Sequence, residues 1–126
     1  MATSPQYAAT PKIGSGTVSA ANTNRDGTGT LVTILTAGSN GSRIDWLVIS
    51  APGTTTAGMI RLFLSDGTNH RLFLEIPVIA TTPSSTIPAF RAEQALPGLV
   101  IPSGWTLRAA THVAETFNVL TIGGDF

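Results

Sequence analysis

Apolar and polar residues alternate with a period of two along short stretches of this chain, and each stretch ends at Gly, Pro, Asn or Asp. Such segments occupy residues 13–19, 29–36, 43–51, 58–65, 71–79, 87–93, 104–111 and 116–123. They are rich in Val, Ile, Leu, Thr and aromatic residues, the set that fits a pleated, half-buried surface. The separators "RDGTG", "AGSNGS", "APGTTTAG", "SDGTNH", "TTPSS", "LPG" and "PSG" carry turn-forming residues, and "THVAE" precedes the final segment. No window holds a helical period. "AFRAEQAL" has room for a turn or two of helix but is bracketed by Pro88 and Pro97. Short strands with turns roughly every 8–12 residues predict an all-β chain, an antiparallel β-sandwich, with an eight-stranded jelly roll the first expectation. Trp46 alternates with Ile44 and Val48 and reads as core. Residues 1–12 are small and polar, interrupted by Pro5 and Pro11, and read as an extended N-terminal arm before a single sandwich domain over 13–126. "IATTPSSTIPAF" is too rich in proline for a central strand and reads as an exposed loop or edge.

The stretch "AGMIRLFLSDGTNHRLFLEIPV" reads as a hairpin whose register follows from keeping like faces together, because a slip of one residue turns every side chain over. With Ser65 opposite Arg71 across a loop of Asp66 to His70, Leu64 faces Leu72, Leu62 faces Leu74 and Ile60 faces Ile76. The other side then pairs Phe63 with Phe73 and Arg61 with Glu75, pairs worth about 0.2–1 kcal/mol each. That second side, with Arg61, Phe63, Arg71, Phe73 and Glu75, is too apolar for open water and too charged for a core. Its composition is that of an oligomer or capsid interface, or of a layer covered by other parts of the same chain.

Composition narrows the partners. Charged residues are 11% of the chain and the formal net charge is zero, so nothing attracts a phosphate backbone and no nucleic-acid partner is expected. Such a neutral surface disperses poorly alone and suits a component of an assembly. Six of the seven basic residues are Arg, whose planar, weakly hydrated fork favours interfaces; genomic GC bias produces the same preference. There is no cysteine. No apolar run reaches the ~18 residues of a membrane span, so no membrane partner is expected. "MATSPQYAATPK" lacks the pattern of a secretory leader, which implies synthesis in the cytoplasm.

Candidate chemistry is sparse. Asp66, Gly67 and Asn69 have ordinary turn roles, and a triad of Ser65, His70 and Asp66 does not fit inside one tight loop. No G-x-S-x-G elbow presents a serine. His70 and His112 fall in separate predicted loops, too few and too far apart for a metal site. "GSG" and "GTG" lack the strand-to-helix setting of a phosphate loop, and Asp26 lacks the following acidic positions of a calcium loop. The expectation is therefore no catalytic residues, no metal and no cofactor: not an enzyme. Trp105 after "PSG" reads as core or as a sugar-stacking platform.

The segments "NRDGTGTLVTILTAGSNGSRIDWLVISAPGTTTAGMIRLFL" and "LPGLVIPSGWTLRAATHVAETFNVLTIGGDF" resemble the small virion structural proteins of tailed bacteriophages, in overall texture and in the "GGDF" ending. The resemblance implies a head decoration (cement) protein, a homo-oligomer and commonly a trimer, on the capsid exterior of the virion, where it braces the major capsid protein. In that setting Tyr7 and Lys12 of the arm would contact a neighbour, adding a strand to its edge. The alternative is a host-glycan-binding module of a tail tip or head fibre, using Trp105, Tyr7 and the loops.

Overall fold

The structure, a computed structural model, describes residues 9–126, and the alternating segments all form strands: β1 (Thr10–Val18), β2 (Val32–Thr36), β3 (Ser42–Ser50), β4 (Gly58–Ser65), β5 (His70–Val78), β6 (Arg91–Ile101), β7 (Thr106–Thr111) and β8 (Phe117–Asp125). Two four-stranded antiparallel sheets result, sheet A in the order β1-β8-β3-β6 and sheet B in the order β2-β7-β4-β5. Strand 1 pairs with 8, 2 with 7, 3 with 6 and 4 with 5, the wrapping of an eight-stranded jelly roll. The strand of residues 87–93 is displaced. The chain is instead extended from Arg91 through Pro97 to Ile101, because β6 lies at a sheet edge, where a missing amide is tolerated.

Inward side chains of both sheets make one core, which includes Val18, Ile44, Leu47, Ile49, Ile60, Leu62, Leu107, Phe117 and Val119. Phe90 and Phe117 meet edge to face within it, ring centroids 6.1 Å apart and planes at 89°. One lateral side of the sandwich is closed. A Cβ on Gly14 of β1 would stand 2.7 Å from the Ile34 carbonyl oxygen and 2.8 Å from Leu35 Cδ1, so only glycine lets β1 and β2 approach this closely. Lys12 fastens the same side: its Nζ donates to the Thr36 carbonyl at 2.6 Å and lies 3.1 Å from Asp125 Oδ1. Thr10, Pro11 and Lys12, assigned to the arm by the sequence, therefore open β1 and pair with Asp125, Gly124 and Gly123. Residues 1–8 of the expected arm, including Tyr7, are outside the described residues.

Candidate interaction surfaces

The β4–β5 hairpin keeps the expected register at its base and loses it at its tip. Ile60 faces Ile76, Arg61 faces Glu75 and Leu62 faces Leu74; beyond them Phe63 faces Leu72, Leu64 faces Arg71 and Ser65 faces His70. The pairing of Phe63 with Phe73 is thus corrected by one residue, with Phe73 left as the extra residue of a bulge. Turn chemistry explains the shift. The Asp66 carboxylate accepts from the amides of Thr68 at 2.9 Å and Asn69 at 2.8 Å, Ser65 Oγ accepts from the Gly67 amide at 3.1 Å, and His70 Nδ1 lies 2.8 Å from the same oxygen. These contacts close a loop of Asp66 to Asn69, while core packing fixes the base, and the bulge absorbs the difference. The Asp66 carboxyl is held below the ordinary carboxylate range, chiefly by the backbone amides of Asn69 and Thr68.

Part of the outer face of sheet B, the expected interface, is covered by the chain itself. Arg61, Phe63 and Ala110 are 2%, 0% and 2% exposed, and none belongs to the central core. The connection between β1 and β2 is laid over them. Ala21 bridges to Thr111, and the Asn22 amide donates to the Thr111 carbonyl at 2.8 Å. Arg25 grips Glu75 through Nε–Oε1 at 2.8 Å and Nη2–Oε2 at 3.2 Å. Gly27, at φ 88°, lies against the His70 carbonyl where a Cβ has no room. Asn22 Nδ2 fixes the loop internally by donating to the carbonyls of Thr28 and Thr30, both at 2.9 Å. The Glu75 carboxyl is held low, first by the Arg25 hydrogen bond and then by the charges of Arg25 and Arg61, against the opposing effect of desolvation. Of the expected interface residues, Arg61 and Phe63 are internal, Glu75 is occupied by this latch, and Arg71 and Phe73 remain at the surface. Lys12 bonds to the Thr36 carbonyl and Asp125 of its own chain.

No described segment covers the outer face of sheet A in the same way. Ile13, Ile122, Trp46 and Ala95 form one row across all four strands, and Ser15, Leu120, Val48 and Glu93 form the next. Ile13 is 67% exposed, Trp46 45% and Ile122 44%. Polar pairs fringe the patch: Thr17 Oγ1 donates to Asn118 Oδ1 at 3.2 Å, Arg43 Nε meets Asp45 Oδ1 at 2.8 Å, and Arg91 pairs with Glu93. Trp46 is therefore not core, as strict alternation had predicted. A register shift between Ile44 and Trp46 inserts Asp45, so Ile44 points in and Trp46 out. A signal for this face was present in β8, where Val119, Leu120 and Ile122 make both sides of the strand apolar.

Among the described residues, nothing closes the second lateral side of the sandwich, between edge strands β5 and β6, as β1 and β2 close the first. A cleft of about 340 Å³ lies there, lined by Phe73, Ala95, Leu96, Pro97, Gly98 and Leu99. Both walls are irregular, one at the Phe73 bulge and the other where residues 96–98 oppose Asp45 alone. Trp105 is partly buried against the core, and its backbone is held by Ala37 and Pro102. His112 Nδ1 lies 3.2 Å from Arg61 Nη1. Among the described residues no three metal-ligating side chains cluster.

No family model matches the sequence, and no curated protein matches it. Two similar solved structures are pentameric capsid proteins isolated from metagenomic phage sequences. One has a TM-score of 0.43 at 14% identity, covering 90% of this chain and 59% of its own. The other has a TM-score of 0.42 at 13% identity, covering 89% and 63%. The chain thus spans about three fifths of the length of each.

Proposed function

We propose that this chain is a structural virion protein that self-associates and binds the outside of a phage capsid, bracing the shell as a decoration protein. The observation that carries the reading is the outer face of sheet A, which the described residues leave uncovered, with Ile13, Trp46, Leu120 and Ile122 contiguous and exposed. Large apolar patches rimmed by polar residues are characteristic of surfaces that become buried in a complex. The virion setting comes from the sequence resemblance to small structural proteins of tailed phages. The mechanism is burial: an interface of about 1,600 Å² available only on the assembled shell stabilises that shell by mass action.

The test is co-sedimentation with capsids of the source phage purified without this protein. Saturable binding at a fixed copy number per shell, lost in Ile13→Asp at the far edge of the same face, supports the reading. Failure to bind shells, with retention on host polysaccharide, overturns it in favour of a glycan-binding module.

A further inference from the structure

The chain carries two apolar surface features, an exposed indole on sheet A and a cleft on the lateral side between β5 and β6. We infer that Trp46 of one copy seats in the cleft of a second copy, between Phe73 and the Leu96–Leu99 excursion of β6. The inference rests on the reading that the chain self-associates, not on its placement on a capsid.

The local backbone builds both halves of the contact. Insertion of Asp45 turns Trp46 outward beside Ile122, where 45% of its surface meets solvent. Trp is the side chain most favoured as a buried anchor between proteins. The cleft, at about 340 Å³, lies at the small end of the roughly 300–1,000 Å³ range of organic ligand sites, room for one large apolar side chain. Its lining is apolar, and Leu96 beneath it is 7% exposed.

The occupant is a side chain rather than an added strand, because Pro77 in β5 and Pro97 in β6 interrupt the edge ladders that a strand would extend. A second copy fits better than a charged partner. Next to the indole, Arg43 is paired with Asp45 at 2.8 Å, and along the strand from Phe73, Arg71 is paired with Asp66 at 3.7 Å. None of the residues lining the cleft is charged, and the chain has no net charge to repel its copies. Ala95 belongs to both surfaces, facing Trp46 in the ladder and lining the cleft. An incoming indole therefore lands beside the receiving copy's own sheet A row, and the contact continues onto that face.

The experiment is sedimentation of full-length wild type, Trp46→Asp and Phe73→Asp, alone and mixed. Each variant is expected to associate at least about thirtyfold more weakly than wild type, as loss of an interface anchor implies. An equimolar mixture should recover one-to-one pairs, because the cleft of Trp46→Asp and the indole of Phe73→Asp are both intact. Pro97→Arg, at an exposed position on the cleft outside the sheet A row, replaces Phe73→Asp if that variant unfolds early. Variants that assemble like wild type, or a mixture that stays monomeric, overturn the inference while leaving self-association standing. A wild type that is itself monomeric overturns both. Loss of capsid binding with this complementation intact would sink only the capsid placement.

Discussion

Arg61 Nε lies 3.6 Å from Glu75 Oε2 across the β4–β5 ladder, while Arg25 takes Glu75 Oε1 at 2.8 Å from the covering loop. One carboxylate thus serves a buried guanidinium and latches the β1–β2 connection to the sheet. Among the described residues Arg61 Nε has no hydrogen-bond partner, so the nearby charge of Glu75 is what makes its burial tolerable. Glu75→Gln should therefore lower the melting temperature more than Arg25→Ala, which leaves the carboxylate beside Arg61. The double variant Arg61→Met/Glu75→Gln should recover part of the loss, since an apolar chain of similar length needs no counter-charge. Thermal unfolding of these variants checks the order; a double variant no more stable than Glu75→Gln would refute it.

Phe63 and Phe73 separate internal packing from surface packing within one hairpin. Phe63 is 0% exposed and Phe73 40%. Phe63→Ala should cost about 3–5 kcal/mol of folding stability, whereas Phe73→Ala should cost the isolated fold less than about 1 kcal/mol. Denaturant titration at a concentration where the protein is monomeric measures both. Similar losses would mean that Phe73 is part of the folded layer rather than a contact site.

The strands and their wrapping were legible because they depend on alternation and turn residues, which are local. Asp66 with Gly67 and Asn40 with Gly41 marked real turns, and Arg61 did face Glu75. The illegible part arose at bulges, because one inserted residue at Asp45 or Phe73 reverses the facing of its neighbours along the strand without changing composition. Trp46 thus passed for core. Coverage of Phe63 was equally hidden, since it depends on a loop more than thirty residues away in sequence crossing β7, β4 and β5.

Gly14 offers a test of how the closed side of the sandwich is held. Its amide donates to Thr121 Oγ1 at 3.1 Å, and the space for a Cβ is filled by the Ile34 carbonyl and Leu35. Gly14→Ala must push β2 off β1 and should destabilise by about 1–3 kcal/mol, the usual effect of overpacking. Gly53, with open space around its Cβ position, serves as the control: Gly53→Ala should leave the denaturant midpoint nearly unchanged.

Metal removal should have no effect on stability. His70 is engaged with Ser65 at 2.8 Å and His112 with Arg61 at 3.2 Å, so neither ring nitrogen that makes these contacts is free to bind a cation. Melting in EDTA should match melting in buffer; a drop of several degrees that a divalent ion reverses would contradict this assignment.

Acid should weaken the fold, and the sign follows from four carboxylates. Asp26 is held below its ordinary value chiefly by the Thr28 hydroxyl, Asp66 by the Asn69 and Thr68 amides, Glu75 by the Arg25 guanidinium and Asp125 by the Ser42 hydroxyl with help from Lys12. A folded value below the unfolded one means that the unfolded chain binds more protons as the solution is acidified. The stabilisation is then complete above the unfolded carboxylate range, near pH 4–5, and is lost as pH falls through the lower folded values. The denaturant midpoint should be level from about pH 7 to about pH 5 and decline below about pH 4. Glu75→Gln should flatten that decline, because it removes one proton-binding difference together with the latch that depends on it. A midpoint that rises on acidification, or a Glu75→Gln slope as steep as wild type, would show that these hydrogen-bonded carboxylates do not set the acid limit of the fold.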